Sequence, residues 1–175
     1  MFPRRIYSFV RAASGFVLAS ALWLAASGAQ SVASDGPFTG LKGAWTGTGT
    51  IAFNNNREKL RCRATYNVTN AGSTVDIQIR CASDSYKFAL SGGVNQNAGT
   101  LSGTWSESAH GAAGEIAGTV KGGVISARAT GPHFSAFLSL RTTGNSQSIA
   151  LTAPGSQISS VTMALTKATG TTASR

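Results

Sequence analysis

The sequence is poor in the residues that carry out chemistry: two histidines, two cysteines and six acids among 175 residues. No Gly-x-Ser-x-Gly elbow, His-Glu-x-x-His pair or phosphate-cradling glycine loop occurs in it, so the usual signatures of nucleophilic, zinc-dependent and nucleotide-dependent catalysis are missing. His110 and His133 fall at expected turns. Glu107, His110 and Glu115 lie close enough in sequence to suggest a metal or acid–base cluster, but loop residues beside Gly111 and Gly114 are ordinarily solvated, and a base also needs a partner and a pocket. We assign no catalytic residue, no metal ligand and no cofactor, and expect a protein that is not an enzyme.

A long apolar run is missing too. The longest, Ala12 to Ala26, is shorter than the roughly 20 residues a membrane-spanning helix needs. Arg4, Arg5 and Arg11 precede it without an acid and small residues follow, the pattern of a secretory signal peptide over residues 1–33. Cleavage after Ala29 or Ala33 fits; Ala33 is preferred because a polar, turn-forming stretch begins there. No cysteine follows the run, so a lipoprotein anchor is unsupported. Arg4-Arg5 also suits a twin-arginine leader, although a disulfide-stapled chain is better made after unfolded export into an oxidising space. The periplasm or the medium is the expected location. The leader holds three of the 15 Lys and Arg and none of the six acids, so the mature chain carries twelve cations against six acids, a formal charge of +6. That balance suits anionic partners such as lipopolysaccharide, acidic polysaccharide or nucleic acid, and equally serves solubility.

What the chain does have is strand alternation. Leu60, Cys62, Ala64, Tyr66 and Val68 alternate with Lys59, Arg61, Arg63, Thr65 and Asn67; after Asn70-Ala71-Gly72-Ser73, Val75, Ile77, Ile79 and Cys81 alternate with Asp76, Gln78 and Arg80. A turn centred between Ala71 and Gly72 pairs Cys62 with Cys81, Ala64 with Ile79, Tyr66 with Ile77 and Val68 with Val75. Both apolar sets then share one face. With Thr69 and Thr74 as the closing hydrogen-bonded pair, the cysteines occupy a non-hydrogen-bonded site, where side chains approach closest. A Cys62–Cys81 disulfide is expected there, worth roughly 3 kcal/mol for a loop of about 20 residues. Two buried free thiols are the alternative.

The same alternation continues to about residue 166. Residues 34–40 read as a flexible lead, 41–166 as the domain and 167–175 as a disordered tail. Within the domain, residues 92–99 read as a polar turn and 108–114 as a loop. About ten short strands joined by short Gly- and Asn-rich turns, with no helical period, predict an all-β fold. The expected architecture is an antiparallel up-and-down meander closed into a small barrel of about 8–10 strands, with a β-sandwich as the alternative. Gly47, Gly49, Gly103 and Gly118 fall on inward positions, where they relieve crowding or leave room for a ligand.

Leu41-x-Gly43-x-Trp45 and Leu101-x-Gly103-x-Trp105 repeat one pattern. In this the chain resembles the lipocalin and avidin group of small barrels, and the resemblance implies that Trp45 and Trp105 pack into the barrel floor. A biotin site of the avidin kind is not implied, because that site takes several lumen tryptophans and Trp23 leaves with the leader. The mature chain, through Arg61-Cys62-Arg63-Ala64-Thr65-Tyr66 and Cys81-Ala82-Ser83-Asp84-Ser85-Tyr86-Lys87-Phe88, is also similar to a family of secreted alphaproteobacterial proteins. That similarity implies export and a disulfide, and no activity.

Lys59, Arg61 and Arg63 share the outward face of their strand, and the predicted register sets Arg80 across from Arg63. The four form a candidate anion-binding patch; a solvated face guarding the strands against aggregation is the competing reading. Nucleic acid is disfavoured, because Tyr66 and Tyr86 fall on the inward set and offer no stacking platform among the cations. The expected function is a binding module for a small apolar or amphipathic ligand, or for an anionic envelope component. One alternative is an inhibitor of a protease or lysozyme acting through residues 34–39; another is a structural envelope protein without a ligand. The sequence implies no oligomeric state.

Overall fold

The structure, a computed structural model, describes residues 35–169 except His133, and of Phe134 only the backbone. The signal peptide with its two cleavage points, Trp23, His133 and most of the expected tail lie outside the described residues.

Ten antiparallel strands form a closed barrel in which each strand pairs with its sequence neighbours and the first pairs with the last. They are β1 (Gly43–Phe53), β2 (Arg57–Thr69), β3 (Thr74–Ala82), β4 (Lys87–Asn97), β5 (Thr100–Glu107), β6 (Ala112–Lys121), β7 (Val124–Gly131), β8 (Phe134–Thr143), β9 (Ser146–Thr152) and β10 (Ile158–Lys167). Two-residue alternation buries one side of the strands, interrupted in β1, where Ile51 and Ala52 are both buried at a shift in the β10 pairing. Along β2, Leu60, Cys62, Ala64 and Tyr66 are buried while Lys59, Arg61, Arg63 and Thr65 are exposed. Closure leaves no free sheet edge, and among the described residues no helix is long and apolar enough to cross a membrane.

The β2–β3 register is the predicted one: Cys62 faces Cys81, Ala64 faces Ile79, Tyr66 faces Ile77, Val68 faces Val75, and Thr69 and Thr74 close the hairpin. Cys62 and Cys81 form a disulfide with Cα atoms 4.2 Å apart, the close approach of a non-hydrogen-bonded pair. Both cysteines are buried, and their sulfurs lie 3.4 and 3.6 Å from the Met163 thioether on β10.

Residues 92–99 depart from expectation. Gly92 to Asn97 belong to β4, and only Ala98-Gly99 turns the chain. Likewise β6 starts at Ala112, inside the expected 108–114 loop. Close approach of neighbouring strands accounts for glycine at these places: a side chain at Gly92 would strike the Thr104 carbonyl and one at Gly114 the Thr130 carbonyl. Trp105 has Gly92 as its partner on β4 and Gly114 on β6, so glycines flank the tryptophan within regular strand. Side chains at Gly47, Gly49, Gly103 and Gly118 would strike the backbone of the adjoining strand. These inward glycines let the wall coil tightly and do not open a ligand space.

The expected flexible lead is also different. Gly36 N–H donates to the Ala71 carbonyl (2.7 Å) and Phe38 N–H to the Gly72 carbonyl (3.0 Å). Phe38 is buried, and a short 3-10 turn, Thr39–Leu41, seats Leu41 beside it in the core. Gly72 sits at φ 88°, and any side chain there would run into Gly36 and Thr39. Residues 36–41 thus plug the barrel end that carries the β2–β3 turn. One bulky apolar residue in a polar lead is enough to dock it, because the end of the barrel otherwise presents apolar surface to water.

Candidate anion-binding site

The lumen is packed by Phe38, Trp45, Tyr66, Leu60, Ile51, Leu101 and Leu165. Trp45 lies at the plugged end: its indole N–H donates to the Leu41 carbonyl (2.7 Å), it meets Tyr66 edge-on at 6.5 Å, and Lys167 Nζ stands 5.4 Å from its ring. Trp105 lies toward the opposite rim and donates to the Thr130 carbonyl (3.2 Å). The two tryptophans therefore pack at opposite ends and share no floor. The Tyr66 hydroxyl donates to Gln147 Oε1 (2.8 Å), whose amide donates to Thr142 (3.2 Å). Burial raises the Tyr66 pKa well above the usual phenol value against the pull of that hydrogen bond, so the group stays neutral and structural.

Of the cluster suggested at residues 107–115, Glu107 and His110 meet and Glu115 does not. Glu107 is on the inward side of β5 at the rim, where its carboxylate accepts from the backbone N–H groups of Ala89 (2.7 Å), Ala109 (3.0 Å) and His110 (2.7 Å) and lies 2.8 Å from His110 Nδ1. Partial burial on its own would raise this pKa, but the four hydrogen bonds outweigh it and hold the carboxyl below its ordinary value. The His110 ring stacks on Tyr86 at 4.8 Å, and Tyr86 in turn touches Phe53 and Phe88. Glu115 is exposed on β6, opposite Thr104 and Thr130. Glu107 pins the β5–β6 turn to the start of β4. Among the described residues no three His, Cys, Asp or Glu are grouped to hold a metal ion.

The cations converge on the outer wall. Lys59, Arg61 and Arg63 project from β2, and Arg80 on β3 lies directly across from Arg63. Two residues extend the patch: Arg57, exposed at the start of β2, and Lys87, exposed on β4 across from Ala82. Arg57 reads as part of a turn in sequence, and the place of Lys87 requires the β3–β4 register. Among the described residues the only ion pair is His110–Glu107, so none of these six cations is neutralised by an acid. Asp84 is exposed between β3 and β4 and pairs with none of the six; the other neighbouring acids are engaged or distant. Glu58 faces the other side of β2 and bonds Ser85 in the β3–β4 turn; hydrogen bonds from Ser83 and Ser85 lower its pKa. Asp76 is four residues along β3 from Arg80. On the adjoining strand, Thr50, Thr48 and Thr46 stand beside Lys59, Arg61 and Arg63, a row of hydroxyls along the row of charge.

Two concavities lie away from this wall. An open groove of about 520 Å³ on the outer face of β6–β9 surrounds the half-exposed Phe137, with the Arg128 guanidinium 4.9 Å from its ring. A smaller one, about 200 Å³, lies between the plug and the β6–β8 wall and is lined by Leu41, Val120, Ile125 and Leu140.

Fold and wall together define a closed ten-stranded antiparallel barrel, packed inside, with unpaired cations along one outer face. No protein-family model and no curated protein matches the sequence. Among solved structures, the barrel is similar to the crystal structure of Rv2717c from M. tuberculosis, with a TM-score of 0.57 over 75% of this chain and 94% of that one. At 15% sequence identity the likeness is one of fold.

Proposed function

We propose that this protein is an exported, non-enzymatic binding module whose outer β2–β3–β4 wall takes an anionic component of the cell envelope. The observation that carries the reading is the Arg63–Arg80 pair: two guanidinium groups directly opposed across a ladder, with no acid paired to either. Like charges facing each other cost stability, and a bound polyanion would relieve that cost. The buried disulfide accords with an oxidising compartment.

The test uses the mature chain on dextran sulfate, with neutral dextran as control. Retention on the sulfated polymer should weaken steeply as salt rises from about 0.05 M to about 0.5 M, as the Debye length shrinks severalfold. Reversing Arg61, Arg63 and Arg80 to Glu should lower affinity at least about tenfold. Retention that is indifferent both to salt and to the triple reversal would overturn the proposal.

A small apolar ligand is a second reading, and the 200 Å³ cavity beside Leu41, Val120, Ile125 and Leu140 is what favours it. The inhibitor reading needs residues 34–39 to leave the barrel end and expose Phe38, which the packing of that ring opposes.

A further inference from the structure

The strand register sorts the cations into two groups. Arg57 and Lys59 continue along β2 beyond the end of its β3 pairing, which stops at Arg61–Ala82. The other four surround a common floor. Arg61 faces Ala82, and Ala82 faces Lys87; Arg63 faces Arg80, and Arg80 faces Ala89. These six residues make a grid two positions long and three strands wide, all on the outer side. Neighbouring strands are about 4.8 Å apart and successive outward residues about 6.7 Å apart. Arg61 and Lys87 therefore stand roughly 10 Å from each other at the backbone, with only the Ala82 methyl between them.

The chemistry of that grid is selective. Three guanidinium-bearing residues and one ammonium-bearing residue border a floor no taller than a methyl group. A carboxylate brings one charge and two oxygens, too little to answer four cations at once. A phosphate monoester brings a charge of about −1.5 to −2 and three acceptor oxygens, and guanidinium groups match its geometry two bonds at a time. Asp84, exposed in the β3–β4 turn two residues from Ala82, pairs with none of the four.

We propose that Arg61, Arg63, Arg80 and Lys87 form a phosphate-binding basin floored by Ala82 and Ala89, so that the anion recognised on this wall is a compact phosphomonoester group. The proposal rests on the polyanion reading above and narrows its ligand. The group has two possible sources, a phosphorylated glycan or a lipid headgroup. Binding of the mature chain to dextran phosphate, to carboxymethyl dextran matched in charge, and to phosphatidylcholine vesicles carrying phosphatidic acid separates them.

Dextran phosphate should bind at least about tenfold more tightly than the carboxylated polymer; stronger binding to the vesicles than to dextran phosphate would assign the group to lipid. Ala82→Glu, which places a carboxylate on the floor, should cost about tenfold or more. Thr50→Glu adds the same charge beside Lys59 but off the basin, and should cost no more than about twofold. Lys87→Met tests the far wall without adding charge; a loss of phosphate preference there supports the basin. Equal losses from Ala82→Glu and Thr50→Glu, or equal binding of phosphate and carboxylate polymers, would overturn the basin while leaving the polyanion reading intact. Indifference both to salt and to the Arg61, Arg63 and Arg80 reversal would remove both.

Discussion

Met163 closes over the Cys62–Cys81 bond from β10, and Gly49, its partner on β1, leaves space for its side chain. The bond is therefore dry and stapled between two strands that already pair in register. Its stabilising effect falls mainly on the unfolded chain, where it closes a loop with a sequence separation of 19. Replacing both cysteines with alanine should cost about 3 kcal/mol, read as a lower urea midpoint. An unchanged midpoint would show that the hairpin is already closed in the unfolded ensemble. The pairing was legible because two independent constraints, apolar alternation and the cysteine positions, share one turn centre. Gln147 was not legible. It takes an inward position because the Tyr66 hydroxyl, buried on the far side of the lumen, needs an acceptor, and alternation on β9 alone does not disclose a partner 81 residues away.

The plug is where local composition misleads. Asp35, Gly36 and Pro37 read as a flexible start, yet Phe38 and Leu41 turn the segment into a stopper held by backbone bonds to Ala71 and Gly72. A local pattern cannot show that an open barrel end waits for an apolar ring. Phe38→Ala should cost on the order of 3 kcal/mol, the low end for a buried phenylalanine, because a chain end can partly collapse into the space. It should also speed amide exchange at Gly36 and Phe38. Exchange that stays slow in this variant would mean that backbone bonds alone hold the plug. A related misreading affects β4, where Gly92-Gly93 followed by Asn95, Gln96 and Asn97 has the composition of a turn. Strand pairing prevails because β5 supplies partners for every residue from Leu90 to Asn97, and at Gly92 a side chain would strike the Thr104 carbonyl.

The balance of charge shapes the behaviour of the barrel in acid. Of six carboxylates in the chain, Glu107 and Glu58 have pKa values lowered by the hydrogen bonds they accept. A lowered folded value means that the unfolded chain binds protons first as pH falls. The stability these groups contribute is thus complete above their ordinary value of 4.5 and is lost as pH drops through the lower folded values. Urea unfolding followed from about pH 6 to about pH 3 should show that decline. Glu107→Gln should flatten it, and an identical slope in the variant would remove Glu107 as its cause. The number of strands, their order and the outward set were open to reading because short links force neighbours to pair. The anion basin was not, since it depends on three strands at once. Nine of the ten strand pairings join sequence neighbours across short turns, and the tenth, β1 with β10, joins residues more than a hundred positions apart. The entropy of closing so long a loop falls on that one seam. A nascent chain can zip its hairpins one after another, but it becomes a barrel only when Val161, Met163 and Leu165 arrive.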